Sequence, residues 1–517
     1  MSDAEVDELL SWVRDYANTR IDFRLQDERR CVQPHVVLDL GRKGILGGLG
    51  VPKAYGGLAL TPRQVARTAE QLGAIDLGLT AWIGQNNWLG VQPIVDAGTD
   101  KQKEEFLPAL ATGRMLGSFA LTERAAGSDP NAIQTTISQT SADTFRLSGE
   151  KSWIGNASWA GVVNVFAKQV DSDGRALGFT GCLVRPGTPG YVIGPELLTM
   201  GLRTGVQNRI TFEDVQVPRS DLLGEPLGGF ATMHRAMQRT RIGIGGASLG
   251  GMRRCLSFQH RYSSRRKTSR GLLKDYPAVV LALNTGVAKI ETLATAVDQL
   301  ARLEESLPVG AIPDQLHMCI KVAASEFLWE MADQTVQLLG ARGYTESNEA
   351  PRFLRDARVF RVFEGPTETL DFFVGALSGG PKFYAFLRDE LGVAAVAQRL
   401  KDAVAEIRNR KSYFDGLLGA DSQQLLHSLI GPVLRWGILL AFVTRHADPG
   451  RSKWTQLSRD WTELHFEQAL ARALEPRWER RLACKMEDID ELLRNSPVTD
   501  LAPFQIGEVH DMEPELL

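Results

Sequence analysis

Glu364 stands in the string FRVFEGPTETL at 360–370, between Phe363 and Gly365. A carboxylate held in a dry, apolar setting has its charged form disfavoured, so its pKa rises toward neutrality, where a general base works best. The chemistry open to such a group is removal of a weakly acidic proton. The competing reading is an ion pair with Arg358 or Arg361, the default for a bare Glu-Gly dipeptide. A second candidate is GSFALTERAAGSD at 117–129, whose small residues let backbone amides approach an anion while Thr122 and Ser128 add hydroxyl donors. Taken alone, an ordinary Ser/Gly loop is the commoner explanation of that string. A third is basic: Arg253, Arg254, Arg261, Arg265, Arg266, Lys267, Arg270 and Lys274 follow one another with no acidic residue between them. This run suits phosphates, although a solvated helix face is the more usual reading. No GxGxxG follows a strand and no GxxxxGK[ST] occurs, so neither a Rossmann nor a P-loop site is expected. Cys31, Cys182, Cys255, Cys319 and Cys484 form no CxxC and the eight histidines pair at no metal-ligand spacing, so no metal is assigned and a reducing compartment fits.

These residues need elements to hold them. At 517 residues the chain exceeds one ordinary core and should divide into three or four packed units. With 43% apolar and 23% charged residues it has a globular composition, and a net charge of −3 gives no global field for nucleic acid. From Val6 to about Arg114 apolar residues recur at helical spacing, broken by GGLGVPKAYGG at 47–57 and by Pro93 and Pro108. This predicts an N-terminal helical domain over 1–116. Short β-branched and aromatic strings such as FRLSGEKSWIG and NRITFEDVQVP predict a middle β barrel or sandwich over 117–222. Helical patterns then resume over 223–380. Val287, Ile290, Leu293, Val297, Leu300 and Leu303 form one stripe, and a second helix from His317 to Leu339 ends on Gly340. Gly379-Gly380-Pro381 closes that unit, and a further helical extension with Trp436, Trp454, Trp461 and Trp478 fills 381–517. The fold class is α+β, mainly α. The longest uninterrupted apolar stretch, Ile438–Val443, is well short of the roughly 18–20 residues a bilayer span needs, so membrane insertion is not expected. The opening MSDAEVDELL is acidic where a targeting peptide would be basic, and a cytoplasmic location is expected.

FALTERAAGSD at 119–129, EKSWIGNAS at 150–158 and FRVFEGPTETL at 360–370 occur in the order and spacing of the acyl-CoA dehydrogenase family, which this chain resembles from about position 6 to 378. FEDVQVP at 212–218 and RFLRDARVF at 352–360 also look like family segments. The tail beyond 381 resembles, in placement, the extra helical domain of the very-long-chain branch, and FVGAL at 373–377 points the same way. The resemblance implies an FAD between the β domain and the helical domains, with 223–380 built as a four-helix bundle. It implies dehydrogenation of an acyl thioester, on CoA or on acyl carrier protein, to the trans-2-enoyl thioester. Glu364 would take the α-proton and flavin N5 the β-hydride, with the Glu364 amide helping to polarise the carbonyl. Some branches carry the base on an earlier helix, at the position of Thr240, which cannot serve.

The cofactor contacts that the resemblance implies are Phe119, Leu121, Thr122, Gly127, Ser128, Trp153, Ile154 and Gly155, with Pro366, Thr367 and Glu368 at the adenine end. Arg266, Thr268, Gln337, Gly340 and Ala341 would reach the cofactor of a neighbouring subunit, which implies a homo-oligomer, dimer or tetramer. Ser128, Gln238, Arg241 and Gly365 fall along the acyl-pantetheine channel. An electron transfer flavoprotein is the implied acceptor.

Departures bear on the cofactor. Gly155 stands where the family commonly has a threonine whose hydroxyl bonds flavin N5, Pro277 replaces a glutamine, and Pro366 and Glu368 replace Thr and Gln. They keep two rivals in view: a flavin-dependent oxidase or monooxygenase on the same scaffold, and a non-catalytic carrier-binding or assembly protein. Trp153 reads alternatively as a plain core aromatic. The basic run would meet CoA phosphates or an acidic carrier protein, and the glycines from Gly243 to Gly251 suit either a close approach to an acyl chain or helix packing. The stripe Leu425, Leu426, Leu429, Ile430, Val433 and Leu434 is expected to pack on the core or a partner subunit rather than on a membrane.

Overall fold

A computed structural model describes residues 1–410, 422–445, 452–475 and 486–494. Trp478 and Cys484 lie outside the described residues.

Helices α1 (Asp3–Arg20), α2 (Phe23–Arg29), α3 (Pro34–Arg42), α4 (Pro62–Ile75), α5 (Leu77–Gly84), α6 (Gln92–Ala97) and α7 (Asp100–Ala111) come first. Three of their starts are capping boxes: Ser2, Thr61 and Thr99 each accept a backbone N–H three residues on, and Glu5, Gln64 and Gln102 bond back. Neither proline breaks its helix as expected: Pro93 is the second residue of α6, which continues directly from the helical turn before it, and Pro108 sits inside α7. The carbonyl that this proline leaves without a donor belongs to Glu104, an exposed residue within reach of water. Between α5 and α6, Gln85–Val91 winds as a π-helical turn.

The middle region is one continuous sheet of β1 (Leu116–Ala120), β2 (Thr136–Gln139), β3 (Thr144–Gly155), β4 (Ala160–Val170), β5 (Ala176–Val184), β6 (Tyr191–Glu196), β7 (Gln207–Pro218) and β8 (Leu222–Leu223), in the order β6-β7-β3-β2-β4-β5-β8. Ile137, Phe145, Val163, Cys182, Ile210 and Val215, all from this sheet, pack into one cluster, so the sheet wraps its own core. β1 and β2 lie end to end along the same edge of β4, both parallel to it. The chain between them, 121–135, must therefore leave the sheet and return. That excursion is the serine-glycine segment singled out above.

The rest is helical: α8 (Gly229–Ser263), a small hairpin of β9 (Lys267–Thr268) and β10 (Gly271–Leu272), α9 (Pro277–Ser306), α10 (Asp314–Leu339), α11 (Ala350–Phe360) and α12 (Thr367–Ala376). The predicted stripe on α9 buries Ile290, Leu293, Val297, Leu300 and Leu303. α10 ends where expected, with Gly340 at φ 61. The glycines of α8 serve packing: a Cβ on Gly250 would lie 1.9 Å from the Glu70 carbonyl oxygen of α4, and one on Gly246 2.5 Å from that of Ala66. Helix α4 thus rests backbone to backbone on α8.

The extension comprises α13 (Pro381–Asp389), α14 (Ala394–Asn409), α15 (Ser422–Arg445), α16 (Ser452–Leu474) and α17 (Met486–Arg494). By length and composition α9 and α15 are apolar enough to cross a membrane, which the six-residue stretch in the sequence did not disclose. In α15 that apolarity goes inward: Leu426, Ile430, Val433 and Leu434 share one cluster with Leu293 of α9, Leu328 of α10 and Val374 of α12. The extension and the preceding helices therefore have a common core.

Candidate active site

The turn between α11 and α12 carries Glu364 at φ 57 and Gly365 at φ 96. A left-handed glutamate is strained, and such strain persists only where the surroundings hold it. Lys321 of α10 supplies that hold. It is fully buried, and its ammonium donates to the Gly365 carbonyl at 2.6 Å. The arginines that competed for Glu364 go elsewhere: Arg361 bonds Glu326 at 2.7 Å, and Arg358 lies over the Trp329 ring.

Glu364 Oε2 is sealed from solvent and has no hydrogen-bond partner among the described residues. Burial pushes the carboxyl from 4.5 up to about 7, against the opposing pull of Arg241 and Lys321. Burial also pushes Lys321 down to about 7, and lowers Arg241, although Glu364 works the other way on both. Arg241 is 3% exposed, and among the described residues its Nε and one Nη are buried without partners. Unpaired buried polar atoms cost about 1–3 kcal/mol each, so three at one site, one of them the carboxylate's own, are what a site awaiting a polar ligand would carry. Thr240 bonds the Ala236 carbonyl of its own helix at 2.8 Å.

The second half of the site is the excursion between β1 and β2. Lys151 of β3, fully buried, reaches the Leu121 carbonyl and Glu123, both at 2.8 Å. Glu123 also accepts the amides of Gln134 and Thr135, so the loop's two ends are tied to one lysine. Burial raises the Glu123 carboxyl, yet Lys151 and these hydrogen bonds outweigh it and the net shift is downward; Lys151 is pushed down to about 8 by burial. The Ser152 amide bonds the Thr122 carbonyl at 2.9 Å, and Ser118 Oγ bonds the Gly155 carbonyl at 2.7 Å. Trp153 is 43% exposed at φ 56, where β3 shifts register, so it is not a core aromatic. Ile154 is buried, Gly127 and Ser128 are exposed, and the Phe119 ring packs inward at 4.9 Å from Phe166.

Several expected contacts are otherwise engaged. The Gln238 amide bonds Asp314 at 2.6 Å, and the Thr367 hydroxyl bonds Glu326, while Pro366, half-buried, caps the start of α12 and Glu368 is exposed. Arg253 and Arg254 of the basic run pair with Glu70 and Glu349. Arg266 and Thr268 follow the end of α8, while Gln337, Gly340 and Ala341 close α10. Gln259 of α8 bonds the Met331 carbonyl and Thr335 of α10, so these two groups share one end of the molecule. At 1.5 Å per residue that end is roughly 33 Å along α8 from Arg241. They do not join Glu364 within one chain.

Three side chains that hold the site together were not singled out from the sequence. Lys321 stands between Ile320 and Val322 in an apolar helix, and a charge at a core position was its only signal. Glu123 and Lys151 were inside quoted motifs, but nothing in either string pairs them.

Models of the acyl-CoA dehydrogenase N-terminal, middle and C-terminal domains match residues 3–114, 118–215 and 228–374, together more than half of the chain. The human mitochondrial very long-chain specific acyl-CoA dehydrogenase is 30% identical over 384 residues, 72% of this chain and 58% of that protein, so the chain spans less than two thirds of this relative's length. Butyryl-CoA dehydrogenase from Megasphaera elsdenii is similar at TM-score 0.67 and 27% identity over 73% of this chain and 98% of its own. An acyl-CoA dehydrogenase from Bacillus anthracis, solved with FAD, has the same fold at TM-score 0.77 and 23% identity over 96% of this chain and 92% of its own. The family binds FAD, and its members are flavin oxidoreductases acting on CH–CH groups. An exposed, strained Trp153 beside a clamped loop of small and hydroxyl residues fits that cofactor. With consecutive models matching its three regions and an uncommitted buried carboxylate in the turn where its motif places one, the chain belongs to the acyl-CoA dehydrogenase family.

Proposed function

We propose that this chain dehydrogenates an acyl-CoA thioester to the trans-2-enoyl thioester, with Glu364 removing the α-proton. The observation that carries the reading is the Glu364 carboxyl: one oxygen sealed from solvent, without a hydrogen-bond partner among the described residues, and the group brought to about 7. Such a group takes up a proton readily at neutral pH and is tied to nothing else. FAD, when bound, supplies the acceptor for the β-hydride. Lys321 fixes the turn through Gly365, which sets the direction of the carboxylate. Arg241, with two uncommitted nitrogens, is suited to a carbonyl or amide of the thioester arm. The Glu364 amide makes no backbone hydrogen bond among the described residues and is suited to polarising the thioester carbonyl.

The test is anaerobic bleaching of the flavin by a panel of acyl-CoA and acyl-carrier thioesters. Glu364→Gln is expected to slow bleaching by about 10²–10⁴-fold while FAD binding persists. A variant that bleaches as fast as wild type removes Glu364 from the role. The proposed acceptor is an electron transfer flavoprotein. Gly155 favours a second reading, an oxidase, which peroxide formation under air without an acceptor protein would establish. The Arg266/Thr268 and Gln337–Ala341 groups, gathered at the far end of α8 and α10, support a homo-oligomer in which each chain serves its neighbour's cofactor. Sedimentation of the purified protein checks this.

A further inference from the structure

Gly155 has no side chain, but the space beside it is filled. A Cβ built there would lie 1.4 Å from Gln85 Nε2, 2.2 Å from Cδ and 2.4 Å from Oε1. The carboxamide of a residue far upstream therefore occupies the position that any side chain at 155 would take.

Gln85 opens a run of three carboxamides at the start of the π-helical turn. Asn86 is buried, donates to the Leu46 carbonyl at 2.7 Å and accepts the Gly117 amide at 2.8 Å. Asn87 is buried, donates to the carbonyls of Ile45, Leu46 and Ile83 and accepts the Leu49 amide. Both are fully used in holding the fold. Gln85 alone of the three is partly exposed, and among the described residues its carboxamide has no hydrogen-bond partner. Its backbone is not free to wander. Gly90, at the other end of the turn, packs on Gly117 so closely that a Cβ on either would lie 2.6 Å from the other's backbone. Trp88 fills the space against Gly84 and Gly243, each with a Cβ position 2.3 Å from the indole. A π-helical turn re-aims side chains and is frequent at functional sites. Here it aims one uncommitted carboxamide at the end of β3, two residues from the exposed Trp153.

We infer that Gln85 is a flavin-positioning residue: its carboxamide replaces the side chain absent at Gly155 and offers an N–H to the edge of the flavin's central ring. The inference rests on the FAD site proposed above. The same amide can accept through Oε1 the N–H that flavin N5 gains on reduction, and its Nε2–H dipole steadies the added negative charge, so its removal makes the flavin harder to reduce.

The experiment uses purified, FAD-loaded protein and reads the visible flavin spectrum and the two-electron reduction potential, with FAD content measured beside them. Gln85→Leu is expected to keep a full complement of FAD, alter the flavin band shape and lower the reduced-to-oxidised ratio at fixed potential about tenfold, a shift of about 30 mV. Gly155→Ala provides an independent route, because its methyl must displace the same amide. It should move the potential in the same direction, and the double variant should be no more affected than either single one. Unchanged spectra and potentials in both single variants with FAD bound, or effects that simply add, would overturn the inference and leave Gln85 a packing residue. A wild-type protein that cannot be loaded with FAD brings down the proposed function itself, and this inference with it.

Discussion

A carboxylate with a pKa near 7 sets where in pH the chain should work. Glu364 must be ionised to accept a proton, so kcat/KM for acyl-CoA is expected to rise as pH increases through about 7. Lys321 is brought to about the same value and faces Glu364, Arg241, Glu326 and Glu368, so the profile belongs to the coupled Glu364–Lys321 pair. The sign of a substitution follows from charge. Positive Lys321 holds the Glu364 pKa down, so Lys321→Met should move the inflection to higher pH, with much of the lost kcat recovered there. An inflection that stays in place, with kcat lowered equally at every pH, would show that Lys321 only braces the Gly365 carbonyl.

At the scale of elements, the device is a sheet edge shared by two strands. Because β1 and β2 occupy successive halves of one edge of β4, the 121–135 excursion has no ladder of its own and depends on the Glu123–Lys151 clamp. Removing one partner of a buried ion pair strands the other charge, at a cost of about 3–5 kcal/mol. Lys151→Met should therefore lower the Tm and speed FAD loss on dilution. Lys151→Met combined with Glu123→Leu should be milder than Lys151→Met alone, since no charge is left buried. Thermal unfolding and flavin fluorescence on the three proteins decide it.

At the scale of the molecule, the extension is seated on α12 by two glycines. A Cβ on Gly375 would lie 2.0 Å from the His427 carbonyl oxygen, and one on Gly431 2.0 Å from that of Asp371, whose carboxylate also takes both arms of Arg435 at 3.2 Å. Backbone cannot yield as a side chain can. Gly431→Ala is thus expected to cost about 1–3 kcal/mol or more by forcing α15 off α12, measured as a fall in Tm. Gly437→Ala, whose Cβ would meet the end of the Leu400 side chain at 2.1 Å, should cost less. Equal losses would mean that the α12–α15 crossing is not the tighter contact.

Much of this was legible in residue order. Capping boxes, Gly340 as a helix end, alternating strand strings and the 3.6-residue stripe of α9 are local free energies, written within a few positions of where they act. Glu364 was legible through its motif, and Thr240 as a position unable to replace it. What only the tertiary structure decided are pairings between distant segments: Glu326 taking Arg361, Lys321 reaching Gly365 from 44 positions away, Lys151 closing on Glu123, and Gln85 lying over Gly155. Pro108 belongs to the same class, since a helix carries a proline when solvent meets the carbonyl it frees. Burial sets the pKa of Glu364, and burial is a property of everything packed around a residue. Local sequence therefore singled out the carboxylate, and long-range packing set its acidity.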